Sequence, residues 1–342
     1  MYSRTLPADT TAPEIDLSAA GSELSKPPST LYLLFSFAAR AIACSVCLQA
    51  AFTLVSSFNP LLELASHCCM HALIVGLVLL PLIHLIGDKG LVVVLGVCVA
   101  YLVFVTQPWA LVPIGNAGVA KDETSIKVLS WNVLVSNPSS DTIRNLIVEA
   151  DPDVIVLIEV RPGLIDSLEL GSSAYPTIVE QPSWGGEGIA VLSRVPDTQV
   201  EFLDFEFEYQ PGVLAKLSLN GKTVKLVGLH TLSPVPLYRA AVRDRQIESV
   251  CSWASKQTVP VCICGDFNTT PWTRPFQRLL ESGFVDSRRQ VGNCPSWPAP
   301  LGVFGIPIDH VLTKGDCRII NRTVIRRDLG SDHFPVQFEL VF

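Results

Sequence analysis

The hydrophobic positions of this chain fall into two regimes. From residue 31 to residue 114 they are nearly continuous; from residue 125 onward they come in short runs broken by polar turns. Three stretches dominate the first regime: Leu31–Phe58, Cys69–Ile86 and Leu91–Val105. Apolar runs of about 18–20 residues are long enough to cross a bilayer, so the pattern predicts three transmembrane helices. Almost nothing on them is suited to face water, which argues against a soluble bundle. Gly87-Asp88-Lys89-Gly90 is a tight polar turn between the second and third stretches. Arg40 interrupts the first. Charge in mid-bilayer is costly, so the span proper is expected to begin near Ala41, or the Arg40 side chain to reach out to the interface.

The second regime alternates between strand and helix periods. Ile126–Trp131 and Val154–Ile158 are short apolar runs that predict buried strands. Between them Ser139 and Ser140 offer a cap for a helix running to about Ala150, which Asp151-Pro152-Asp153 ends. Ile189–Leu192 is a further strand after the glycine-rich Gly185-Gly186-Glu187-Gly188. Val213–Leu219 and Thr223–Leu229 flank Asn220-Gly221, a strong hairpin signal. Pro236–Ser255 has helical spacing, and Val259–Cys264 predicts a strand. Thr273–Ser282 predicts a helix closed by Gly283, and Val303–Leu312 and Val336–Val341 the last strands. Hairpins mixed with βα units point to an α/β fold, a layered sheet core flanked by helices. The implied organisation is a polar tail (1–30) expected to be disordered, a membrane segment (31–114), a linker (115–124) and a globular domain (125–342).

Charge and cysteine content narrow the picture. Residues 121–342 carry 21 Lys and Arg against 26 Asp and Glu, a net charge of about −5. That argues against a strongly basic nucleic-acid groove. Five of the ten cysteines lie in this part, an odd number without metal-type spacing, so neither a disulfide framework nor a zinc site is expected. The tail has no secretory pattern. Lys and Arg before the first stretch and Lys89 after the second favour a cytoplasmic N-terminus. Three crossings then place the globular domain outside, in an integral protein of a bacterial inner membrane. No protein partner is identifiable.

The chemistry lies where apolar runs stop. Val259-Pro260-Val261-Cys262-Ile263-Cys264 is followed at once by Gly265-Asp266-Phe267-Asn268. Trp131-Asn132, Ile158-Glu159, Leu229-His230, Ile308-Asp309-His310 and Ser331-Asp332-His333 repeat the theme. Six runs ending in a carboxylate, amide or imidazole would assemble a polar metal site at a sheet rim. Mg²⁺ takes oxygen ligands, usually one or two carboxylates with water and phosphate, and Glu159 and Asp332 suit that role. Asn132 would ligate through its amide oxygen or orient a neighbour. Asp266 and Asn268 would share one face of an extended segment and hold a water. Each has an ordinary reading too: Asn268-Thr269-Thr270-Pro271 also fits an Asx turn, and His310 should point away from Asp309 as a structural residue.

These blocks, with Gly188-Ile189-Ala190-Val191-Leu192-Ser193-Arg194, stand in an order that resembles the endonuclease/exonuclease/phosphatase superfamily over about Ser125–Phe342. The resemblance implies a four-layered α/β/β/α sandwich and hydrolysis of a phosphoester with Mg²⁺, or Mn²⁺ in its place. It implies metal binding by Glu159 and Asp332 with Asn132 beside them. It implies that Asp266 activates water with Asn268 as companion, and that Asp309, His333 and His230 act at the scissile phosphate. Ile158 departs from the pattern, since many members carry Gln there. The substrate implied is a phosphoester of nucleic acid or of a phospholipid headgroup, with the bilayer as the other partner. A binding protein without catalysis is the alternative from another class.

Overall fold

The computed structural model describes residues 29–107 and 123–342, apart from residues 172 and 208. Most of the expected tail (1–30) and linker (115–124) lies outside the described residues. Four helices come first: α1 (Thr30–Leu54), α2 (Pro60–Ser66), α3 (Cys69–Ile86) and α4 (Lys89–Thr106). Of these, α1, α3 and α4 are each long and apolar enough to cross a membrane. They pack through small and aliphatic side chains such as Ala43, Val46, Leu73, Leu95 and Val99. Arg40 Nε lies 2.9 Å from Asp88 Oδ2, so the α1 charge meets the polar turn between α3 and α4. Asp88 also caps α4 by accepting from Leu91 N.

The segment between α1 and α3 is more than a plain connection. It holds a helix, because Asn59 accepts from Leu61 N as cap and Pro60 stands at the first helical position. Helix α2 buries Glu63 and Ser66, and His67 after it is also buried.

The remaining elements form two six-stranded sheets. They are β1 (Ser125–Asn132), α5 (Ser140–Ala150), β2 (Val154–Ile158), α6 (Leu164–Ser167), β3 (Thr177–Gln181), β4 (Ile189–Ser193), β5 (Gln199–Leu203), β6 (Gly212–Leu219), β7 (Lys222–His230), α7 (Ala240–Ser255), β8 (Val261–Asp266), α8 (Arg274–Glu281), β9 (Val285–Asp286), β10 (Asp309–Lys314), β11 (Arg318–Val324) and β12 (Val336–Val341). The first sheet has the order β11-β12-β1-β2-β4-β3 and the second β5-β6-β7-β8-β10-β9. Val128, Val156, Val191, Val213, Leu226, Cys264 and Phe338 fill the space between the sheets. Outside the first sheet Ile143, Leu146 and Ile147 of α5 pack on Leu129 and Leu157. Outside the second, Ile247 and Val250 of α7 and Phe276 of α8 pack on Val227 and Ile263. The layers are therefore α/β/β/α. The stretch expected as one strand over Val303–Leu312 is a strand only from Asp309; residues Ala299–Phe304 form a 3₁₀ turn.

The helical unit and the sandwich are joined by polar contacts. Arg243 of α7 is fully buried, and its Nη2 lies 2.9 Å from a Glu63 carboxylate oxygen. The same guanidinium reaches Asp244 at 2.6 Å and donates to the Asn268 carbonyl at 3.3 Å. His71 Nε2 sits 2.8 Å from the Phe304 carbonyl oxygen, and Trp272 packs into the helical core.

His310 is buried between Phe267 and Phe276, with Nε2 2.9 Å from the Thr269 carbonyl. Burial first, and the Arg288 guanidinium second, push its pKa down to about 3. An unfolded histidine titrates near 6.5, so between these values the unfolded chain binds the proton and the folded one does not. Stability therefore falls as pH drops below about 6.5, by up to about 1.4 kcal/mol per pH unit from this group. His310→Gln should flatten that acid limb in denaturant midpoints measured at pH 7 and pH 5. An unchanged slope contradicts the assignment.

Candidate active site

Strand direction gathers the site. Strands β1 and β2 run parallel and end together at Asn132 and Ile158, while β4 and β12 start at the same rim. In the second sheet β7 and β8 run parallel and end at His230 and Asp266, which are register partners. Antiparallel β10 then sets Asp309 opposite Asp266. One glycine makes the last step possible. Gly265 has φ +134°, and a Cβ there would lie 2.0 Å from the Leu229 carbonyl oxygen. The chain can thus bring Asp266 beside His230 only without a side chain at 265.

A buried imidazole lies at the centre. His333 Nδ1 is 2.9 Å from Asp309 Oδ2, and its Nε2 is 3.5 Å from Asp266 Oδ2. His230 Nε2 approaches the same Asp266 oxygen at 3.7 Å. Burial opposes charge on His333, but the carboxylates of Asp309 and Asp266 outweigh it and lift the pKa to about 10. Both carboxylates favour the protonated form of the ring. Burial likewise raises the Asp266 pKa, with His333 opposing.

Around this centre the polar groups are oriented by hydrogen bonds. Asn132 Nδ2 donates to Glu159 Oε1 at 2.9 Å and to Asp266 Oδ2 at 3.2 Å, and its Oδ1 accepts from Leu134 N. Glu159 Oε2 accepts from Val135 N at 3.0 Å, and Glu159 itself adopts φ +62°, a strained conformation for this residue. Trp297 Nε1 donates to Asp332 Oδ2 at 2.9 Å. Ser331 Oγ donates to the Asn132 carbonyl and accepts from His333 N, tying the two strand ends together. The segment 266–268 is not extended. Asn268 has φ +46°, its N–H donates to Asp266 Oδ1, and its Nδ2 donates to the Thr231 carbonyl. The Asx-turn reading of this segment holds for its backbone, while the Asn268 side chain still lines the cleft.

The cleft has a volume of about 550 Å³. Of the eight residues expected from sequence, Glu159, His230, Asp266, Asn268, Asp332 and His333 line it. Asn132 and Asp309 do not; they are buried among the polar groups they bond. Sequence reasoning missed Trp297 and Arg239, and above all Leu64, His67 and Cys68 from the helical unit, which also line the cleft. The one available signal was Asn59-Pro60 followed by Glu63 and His67, four residues apart in an otherwise apolar stretch.

A divalent cation has two distinct places to be tested. The ligand atoms of Asp266, Asp309 and His333 lie within 4.8 Å of one another. A metal bound by the His333 ring there would have to displace the proton that the Asp309 and Asp266 carboxylates favour. Glu159 and Asp332 instead line the cleft, Glu159 steadied by donors on both oxygens and Asp332 by one on Oδ2. Hard oxygen donors of this kind suit Mg²⁺ or Mn²⁺.

The model of the Endonuclease/Exonuclease/phosphatase family matches residues 129–333, more than half of the chain. Solved structures similar in fold include TDP2 of D. rerio complexed with a single-strand DNA product. It is 16% identical with TM-score 0.53, covering 64% of this chain and 99% of that one. The human Nocturnin catalytic domain with bound sulfate is 14% identical with TM-score 0.51, over 64% and 96% of the two chains. A family protein from Leptotrichia buccalis is 16% identical with TM-score 0.51, over 64% and 100%. No curated protein sequence matches the chain.

Gly265→Ala should lower stability by about 3 kcal/mol or more, because the Leu229 carbonyl cannot withdraw without breaking the β7–β8 pairing. Chemical denaturation reads the loss. A variant as stable as the parent would show that the strand ends are not held this close.

Proposed function

Because the chain belongs to the endonuclease/exonuclease/phosphatase family, we propose that it is a membrane-anchored, divalent-metal-dependent hydrolase that cleaves a phosphodiester by attack of water. The observation that carries this reading is the His333 ring held between Asp309 and Asp266 in the same cleft as the Glu159 and Asp332 carboxylates. A positive ring beside hard oxygen donors fits a substrate whose negative charge grows on phosphoryl oxygens.

Glu159 and Asp332 would hold Mg²⁺, with Mn²⁺ as a substitute. When bound, the metal supplies charge neutralisation at the phosphoryl group. Asn132 acts as the orienting residue, fixing Glu159 and Asp266 through one amide. Asp266, whose pKa burial raises, accepts a proton from water; Asn268 shapes the turn that presents it. His333 and His230 face the non-bridging oxygens, and Asp309 keeps His333 charged and aligned. Water adds to phosphorus as Asp266 takes its proton, one P–O ester bond breaks, and the leaving alkoxide takes a proton from solvent, giving a phosphomonoester and an alcohol. Positioning and electrostatics supply the rate, with no covalent intermediate required. Helices α1, α3 and α4 anchor the chain in the bilayer, and alkaline carbonate extraction should leave it in the membrane pellet; release into the supernatant contradicts anchoring.

The catalytic reading is tested on the detergent-purified full chain with bis-p-nitrophenyl phosphate. Hydrolysis should require Mg²⁺ or Mn²⁺ and stop with EDTA. Asp266→Asn and Glu159→Gln should each lower kcat by about 100-fold or more while circular dichroism shows each variant folded like the parent. Activity indifferent to EDTA, or retained in both variants, overturns the reading.

A further inference from the structure

The cleft is not closed by the sandwich alone. Leu64, His67 and Cys68, between α1 and α3, form part of its wall alongside Glu159, Asp266 and His333. This wall is fastened in place. Glu63 meets the fully buried Arg243, and Arg243 in turn donates to the carbonyl of Asn268 on the catalytic turn. His71 and the Phe304 carbonyl make a second tie, and Trp272 in the helical core a third. The cleft therefore opens at the end of the apolar helices, with α2 against its mouth.

The surroundings of that mouth are unlike those of a polyanion groove. Phe58 and Leu61 at the α2 end, and Leu301, Val303 and Phe304 on the turn tied to α3, are all exposed. Tyr238, beside the cleft-lining Arg239, is exposed as well. Inside, Leu64, Leu232, Val235, Ile306 and Ile308 line the cleft with the charged groups. Exposed apolar side chains near the end of an apolar helical bundle suit contact with a membrane interface. Among the described residues neither ring nitrogen of buried His67 has a hydrogen-bond partner, Glu63 Oε1 lying 4.0 Å from its Nε2, and the residue lines the cleft. Unpaired buried polar groups are costly and usually await a ligand or water. Burial first, and Arg243 second, lower the His67 pKa to about 4, so the ring is neutral and able both to donate and to accept.

Resting on the membrane-anchored phosphoesterase reading, we propose that the substrate is a phosphodiester lipid. Its headgroup enters the cleft under the α2 wall while its acyl chains stay in the bilayer, and His67 is a headgroup-binding residue supplied by the membrane segment. The reaction is the hydrolysis written above, at one ester bond of the headgroup phosphate. The wall explains why the helical unit is keyed to the catalytic turn rather than merely tethered to the domain.

The test uses the full chain reconstituted in vesicles of phosphatidylethanolamine, phosphatidylglycerol and phosphatidylcholine with Mg²⁺, followed by phosphorus NMR. Bis-p-nitrophenyl phosphate, single-stranded DNA and the deacylated glycerophosphodiesters of the same headgroups serve as soluble comparators. At least one lipid should be cleaved, with kcat/KM about tenfold or more above its deacylated counterpart. His67→Ala should lower kcat/KM on that lipid by about tenfold, chiefly through KM, and His67→Gln should restore most of it. Cleavage of bis-p-nitrophenyl phosphate with no lipid cleaved, or with single-stranded DNA preferred, overturns the lipid assignment and leaves the phosphoesterase reading standing. Failure on every compound, bis-p-nitrophenyl phosphate included, overturns both.

Discussion

Two carboxylates and an imidazole, buried together, set the terms for this molecule. Asp309 and Asp266 cannot both stay charged in an apolar layer without a cation, and His333 supplies it at 2.9 Å and 3.5 Å. The three groups come from both sheets. Asp266 and Asp309 belong to the second, and His333 stands just before β12 of the first. The charge pairing therefore acts across the sandwich at its polar rim, where the aliphatic core gives out. Asn132 repeats the device by bonding Glu159 in its own sheet and Asp266 in the other. Several of these side chains are thus held by one another, while Asp332 is held by Trp297 and Asn268 by the Thr231 carbonyl.

The centre of the fold was legible in the sequence because central strands are buried on both faces. Val154–Ile158 and Val336–Val341 were predicted with their observed limits, and Cys69–Ile86 likewise. The strands that escaped notice are β3, β5, β9 and β11, and these are the four sheet edges. An edge strand is half exposed, so its apolar pattern is diluted; Gln199–Leu203 has no fully buried residue at all. The start of the expected Val303–Leu312 strand failed for the opposite reason. Its apolar residues Val303 and Phe304 are exposed on a turn rather than buried in a sheet.

The site was legible in its residue types and less so in its geometry. All eight expected residues gather at one rim, yet Asn132 and Asp309 act from behind the cleft wall, and Asn268 sits on a turn rather than a strand. The wall given by Leu64, His67 and Cys68 lay beyond sequence reasoning. Glu63 and Arg243 are 180 positions apart, and only the folded arrangement of helical unit and sandwich makes them neighbours. Contacts of that kind leave no local pattern, because neither residue's periodicity depends on the other.

The central claim is that the Asp309–His333–Asp266 array keeps its proton and that a metal belongs between Glu159 and Asp332. Crystals of the full chain grown with Mn²⁺, and the anomalous difference map at the manganese edge, test it most directly. The arrangement predicts one peak bounded by the Glu159 and Asp332 carboxylates, with the His333–Asp309 hydrogen bond intact. A peak among Asp266, Asp309 and His333, with the imidazole turned to bind it, would contradict the account.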